Sequence, residues 1–98
     1  MTVAKFYVGQ KGMPPDAALR IEDLLTAEFG GVTRYSGVGA WRSPSGDIVK
    51  EYVAVYEVMV GVRQAKDASL QKIASIIRDI AKQTSVLLTE QECDGDFI

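Results

Sequence analysis

The chain has 98 residues, of which 47% are apolar and 24% charged, and its formal net charge is −2. That length holds one core of two packed layers over residues 1–98 and not two domains, and the composition is globular rather than disordered or fibrous. Eleven basic against thirteen acidic residues exclude the broad positive field of nonspecific nucleic-acid binders, and the absence of histidine removes the usual general base near neutral pH and the commonest metal ligand.

Val3 to Val8 alternates, with Ala4, Phe6 and Val8 on one side and Val3, Lys5 and Tyr7 on the other, which predicts a half-buried first strand. Gly9 to Pro15, with two glycines and two prolines, breaks it, and a first helix is predicted from Pro14 or Pro15, with Asp16 in its first turn. Ala18, Ile21, Leu25 and Phe29, joined by Ala17 and Leu24, form its apolar stripe, and Gly30-Gly31 end it. Val32 to Arg42 and Asp47 to Val60 then read as the arms of a hairpin turning at Pro44-Ser45-Gly46.

In the second arm both faces are apolar: Ile48, Tyr52, Ala54, Tyr56, Val58 and Val60 on one, Val49, Val53, Val55 and Met59 with Glu51 and Glu57 on the other. A strand of that kind is normally covered on both sides. Two helices cover one side only, so a second copy of the chain is the expected cover for the other. Gly61 to Lys66 is a predicted loop, Asp67 an N-cap, and Leu70, Ile73, Ala74, Ile77, Ile80 and Ala81 the stripe of a second helix. Val86 to Thr89 is a short last strand, followed by an acidic tail from Glu90 to Asp96. The order βαββαβ satisfies every stripe as a ferredoxin-like α+β fold, an antiparallel four-stranded sheet with two helices on one face.

The lone Cys93 has no internal disulfide partner, and the N-terminus lacks the pattern of a secretory signal; the expectation is cytoplasmic. The longest mostly apolar stretch, Tyr52 to Val62, is interrupted by Glu57 and is too short to cross a bilayer.

Phe29-Gly30-Gly31-Val32-Thr33, then Gly37-Val38-Gly39-Ala40-Trp41-Arg42, a turn at Ser45-Gly46, and Ile48-Val49-Lys50-Glu51 form a pattern that resembles a family of small bacterial and phage-type domains of unknown function. Tyr7-Val8-Gly9 is similar to that family's first strand. The resemblance implies the same ferredoxin-like fold and no agreed activity. A phage-type protein that sequesters a signalling nucleotide is a role that rests on this resemblance alone.

For chemistry, the hairpin is the richest segment. Arg34, Ser36, Val38, Ala40 and Arg42 share one face of the first arm, with Tyr35 and Trp41 on the other and Lys50 on the return arm. Guanidinium forks suit phosphate or carboxylate, and an aromatic ring can stack on a base. Arg34, Tyr35, Ser36, Trp41, Arg42 and Lys50 are therefore the candidate site for a small anionic ligand, a nucleotide among the possibilities. The structural alternative has Trp41 as a core anchor and the arginines paired with Glu51 or Glu57. Gly37-Val38-Gly39 lacks the third glycine and the following helix of a dinucleotide loop, and reads as a bending strand. Cys93 and the serines lack a histidine to activate them, and the acidic tail lacks the ligand spacing of a calcium loop. The expectation is a non-enzymatic homo-oligomer, a dimer or larger, that binds a small anion and carries no cofactor or metal. The alternatives are a small dimeric ferredoxin-like enzyme acting on a small molecule and a protein–protein interaction module.

Overall fold

The structure, a computed structural model, describes residues 1–61, 67–96 and 98, with backbone alone for 67–69. Six elements follow one another: β1 (Thr2–Gly9), α1 (Ala17–Phe29), β2 (Thr33–Arg42), β3 (Ile48–Val60), α2 (Asp67–Ala81) and β4 (Leu87–Glu92). The strands form one sheet in the order β2-β3-β1-β4, with every neighbouring pair antiparallel. This is the ferredoxin-like fold expected from the sequence. Among the described residues no helix is long and apolar enough to cross a membrane.

The period-2 alternation of β1 and β3 turns Ala4, Phe6, Val8, Ala54, Tyr56, Val58 and Val60 to one side, where all are buried. Against them lie Ile21, Leu25 and Phe29 of α1 and Leu70, Ile73, Ile77 and Ala81 of α2, so both helices occupy the same face. In α1 the buried line is Ala17, Ile21, Leu25 and Phe29 at strict four-residue spacing, while Leu19 is exposed. The predicted stripe of α2 is the one that packs, with Ala74 and Ile80 half-buried at its margins.

The boundaries differ from the sequence reading at the start of α1 and the end of β4, while the end of α1 falls at Gly30 as expected. Proline lacks the N–H that a helix interior needs, so Pro14 and Pro15 precede α1; Asp16 sits at its N-cap, without a side-chain capping bond. Gly30 ends α1 in the left-handed conformation (φ 83°), its N–H donating to the Thr26 carbonyl at 2.8 Å. β4 runs to Glu92, so Glu90 and Glu92 belong to a strand rather than to a solvated tail, because β1 offers ladder partners down to Thr2. The predicted loop over 62–66 lies outside the described residues, and Asp67, expected as an N-cap, is the first residue of α2, with only its backbone described.

The second face of the sheet is partly covered by the chain itself. Val55 is buried, flanked directly by Tyr7 on β1 and Tyr35 on β2. Gly95 in the C-terminal segment lies against Met1 and Met59, and the Cys93 N–H donates to the Met1 carbonyl at 2.9 Å.

β2 and β3 outrun the rest of the sheet. β1 ends at Gly9, opposite Val53, and after one further bond, from the Gln10 N–H to the Tyr52 carbonyl at 3.0 Å, Ile48–Glu51 pairs only with Gly39–Arg42, so the hairpin projects as a two-stranded ribbon. Its turn is closed by Ser43 N–H to Asp47 O at 2.7 Å and by Gly46 at φ 94°.

Candidate functional site

The register separates the six sequence-derived site residues onto two faces. Arg34, Ser36 and Arg42 on β2, with Lys50 on β3, share the face that carries the helices, whereas Tyr35 and Trp41 lie on the other. Arg34 donates from Nε to Glu22 Oε1 of α1 at 3.0 Å. Arg42 donates from Nη1 to the Gly46 carbonyl at 2.7 Å, clamping the ribbon's own turn. Neither arginine pairs with Glu51 or Glu57, the partners the structural alternative named, because period-2 alternation puts those carboxylates on the opposite face. Glu57 has Lys5 as its partner, 3.8 Å away.

Trp41 instead walls a cleft of about 430 Å³ in the bay between the projecting ribbon and the turn from α2 to β4. That volume suits a drug- or nucleoside-sized molecule. Tyr7 and Leu87 form the opposite wall, Val53 and the backbones of Gly9 and Gly39 the floor, and Thr84 and Ser85 contribute hydroxyls. Both glycines are closely approached by side chains. A Cβ on Gly39 would sit 3.1 Å from Val53 Cγ2. On Gly9 it would sit 2.7 Å from Glu51 Oε1 and 3.0 Å from Gln83 Oε1, so bare backbone is what lets both oxygens reach this point.

A second cleft, of about 370 Å³, lies at the C-terminal end of α1 and includes Glu57. The two clefts differ in charge: Glu57 is neutralised by Lys5, while Glu51 has no ion pair among the described residues. The first cleft therefore carries an uncompensated carboxylate beside an aromatic wall. Sequence reasoning found Trp41 but missed Tyr7, Glu51 and Gln83. The run of small residues at Gly9, Gly37 and Gly39 was the available signal, since it marks where a sheet face is left bare.

Fold and site together define a class: a two-layer ferredoxin-like domain with a cleft where a hairpin outruns its sheet. The chain belongs to the family described as protein of unknown function DUF3574, whose profile matches residues 20–97. No curated protein matches it. Among solved structures, a phage SAM lyase in complex with S-methyl-5'-thioadenosine is similar over 93% of this chain and 80% of its own, with a TM-score of 0.69 and 15% identity. The apo state of a phage SAM lyase covers 92% and 78%, with a TM-score of 0.66 and 17% identity. A mutant CutA1 from Pyrococcus horikoshii OT3 covers 99% and 87%, with a TM-score of 0.66 and 9% identity.

These likenesses carry the fold and not an activity. They nevertheless correct the expectation of a non-enzymatic protein: a SAM lyase, an enzyme, is built on this fold at nearly this size. The premise behind that expectation, a compact chain without histidine, does not bear on reactions in which the leaving group takes no proton.

Proposed function

We propose that this chain is a self-associating enzyme acting on a small nucleoside-type molecule, with the cleft beside Trp41 as its site. The observation that carries the reading is the pairing of Glu51, a carboxylate with no ion pair among the described residues, with the aromatic walls Trp41 and Tyr7 in one cleft. A ring can stack on the indole, and the negative charge favours a substrate with positive charge or hydrogen-bond donors over a free phosphate. An anion bound by Arg34, Arg42 and Lys50 together with Trp41 would have to straddle the ribbon, since those cations lie on the other face.

The likeness to a SAM lyase supplies a substrate of the right chemistry. SAM joins a flat base to a sulfonium cation; when a carbon–sulfur bond of a sulfonium breaks, the electron pair stays on sulfur, a neutral thioether departs, and the carbon it leaves is closed by an oxygen of the substrate's own carboxylate, forming a lactone with no proton transferred. Such a leaving group needs no general acid, which suits a site with no histidine. The test is incubation of the purified protein with SAM, followed by chromatography for an adenine thioether. Product is expected from the wild type and at least tenfold less from Trp41→Ala. SAM recovered intact, with the fluorescence of Trp41 unchanged on its addition, would defeat the reading.

Self-association is supported by the ribbon. Val38, Ile48 and Tyr52 are 67%, 63% and 69% exposed and share one of its faces, with Trp41 at 46% on the other. Apolar side chains on both faces of an unsupported ribbon favour burial against another surface, and a second copy supplies one at the same concentration. Light scattering at micromolar concentration is expected to give a multiple of the chain mass, and Tyr52→Asp to return it to the monomer. A monomeric wild type would remove this part of the proposal.

A further inference from the structure

We infer that Glu51 and Gln83 form a pair of hydrogen-bond acceptors that grips the vicinal diol of a ribose, an inference that rests on the nucleoside reading of the cleft. Gln83 Nε2 lies 3.0 Å from the Lys11 carbonyl and 3.1 Å from the Ala81 carbonyl. Carbonyl oxygens only accept, so the amide nitrogen must face them; the reversed amide would set oxygen against oxygen. Both amide hydrogens are thereby used, and Oε1 is left as an acceptor aimed at the space above Gly9. Glu51 Oε1 arrives at the same space from β3, and the two oxygens lie 3.0 and 2.7 Å from one point over the Gly9 backbone.

An ionised carboxylate and this amide oxygen are both acceptors, with no hydrogen to share between them. Their convergence in a solvent-open cleft is favourable only when a group with at least two donors, or water, lies between. A cis-diol offers two O–H groups on adjacent carbons, spaced to give one to each oxygen, and leaves the base of the same nucleoside free to reach Trp41.

The position of Gln83 is set by the end of α2 rather than left to a loose side chain. Lys82 adopts the left-handed conformation at φ 52°, which is strained for a residue with a Cβ. Lys82 N–H donates to Asp79 O at 3.3 Å and Gln83 N–H to Arg78 O at 3.1 Å, the paired bonds of a helix-ending motif usually built on glycine. A strained, doubly bonded helix end that delivers an amide oxygen to a carboxylate is a built site.

The experiment uses the protein's single tryptophan, Trp41, as the probe. Adenosine, 2'-deoxyadenosine and 3'-deoxyadenosine are titrated against the wild type while indole fluorescence is followed. Adenosine is expected to bind, with each deoxy analogue at least about tenfold weaker, as befits a lost hydrogen bond to a charged or fixed acceptor. Gln83→Leu is expected to abolish that discrimination at one hydroxyl, and Glu51→Gln to weaken adenosine without changing the cleft's shape, with melting curves confirming that both fold. The comparison of ligands on the wild type stands even if a variant does not fold. Equal binding of all three nucleosides overturns the diol clamp and leaves the cleft as a nucleoside site. No response to adenosine or to SAM overturns the clamp and the proposed function together.

Discussion

Tyr52 and Tyr56 lie four residues apart on the same face of the same strand, yet Tyr52 is 69% exposed and Tyr56 is wholly buried. Nothing in their type or immediate sequence separates them. The difference is in the neighbours. Tyr56 has β1 beside it, through Phe6, and lies in the core cluster with residues of both helices; at Tyr52 the β1 ladder has ended, and beyond one backbone bond from Gln10 only β2 remains. Apolar content made both halves of β3 competent for burial, and the reach of the surrounding elements determined which half obtained it. The body is thus where apolar surface is buried, and the ribbon is where it is left exposed.

The largest expected effect tests that division directly. Leu25, fully buried on α1, should cost about 2–5 kcal/mol when cut to alanine, whereas Tyr52→Ala should change the stability of the isolated chain by no more than about 0.5 kcal/mol. Chemical denaturation at a concentration low enough to keep the chain monomeric measures both. A loss at Tyr52 comparable to that at Leu25 would mean that the ribbon packs as part of the body.

A smaller effect is expected where the two regions meet. The Arg34–Glu22 bond ties β2 to α1, but both side chains are substantially exposed, at 44% and 32%, so solvent screens the pair. Arg34→Ala should cost only about 0.2–1 kcal/mol, less in high salt, and should leave the fluorescence response of Trp41 to nucleosides unchanged. Loss of that response would return Arg34 to the site.

The smallest effect sharpens the contrast between the twin tyrosines. The Tyr56 hydroxyl is buried without a hydrogen-bond partner among the described residues. Tyr56→Phe removes a desolvated donor while keeping the ring, so the variant should be as stable as the wild type or more so, by up to about 1 kcal/mol. Burial raises the ionisation of this phenol above its ordinary 10.0, with Arg34 opposing the shift and Glu22 adding to it. A raised folded-state value means that stability is intact below pH 10 and falls as pH rises from there toward that value, because the unfolded chain releases the proton more readily. Melting curves above pH 10 should therefore show the wild type losing stability that Tyr56→Phe retains.

Much of the fold was legible in the chain itself. Alternation in Val3 to Val8 and along β3, the stripes at Ile21, Leu25 and Phe29 and at Leu70, Ile73 and Ile77, and the glycine after Phe29 each follow from local periodicity and backbone freedom, which neighbours in sequence suffice to determine. The face assignments within β2 were equally legible, since period 2 puts Arg34 and Arg42 together and Trp41 opposite. What those faces meet was not. Glu22 reaches Arg34 from another element, and the carbonyl that holds Arg42 is brought round by the turn of its own ribbon.

The cover of the second sheet face shows the same limit. Its apolar character was plain from the sequence, but the flanking of Val55 by Tyr7 and Tyr35 depends on the order β2-β3-β1-β4, which sets strands side by side across gaps of dozens of residues. The cleft lies furthest from the sequence: Gly9, Glu51 and Gln83 are separated by more than thirty residues at each step and converge on one point. The sequence alone determined the elements, their apolar faces and the strand that bears Trp41, because those depend on periods of two and 3.6 residues. The tertiary structure alone decided which apolar surface is buried and which oxygens meet above Gly9, because both depend on where the ladder of β1 stops and on how α2 ends.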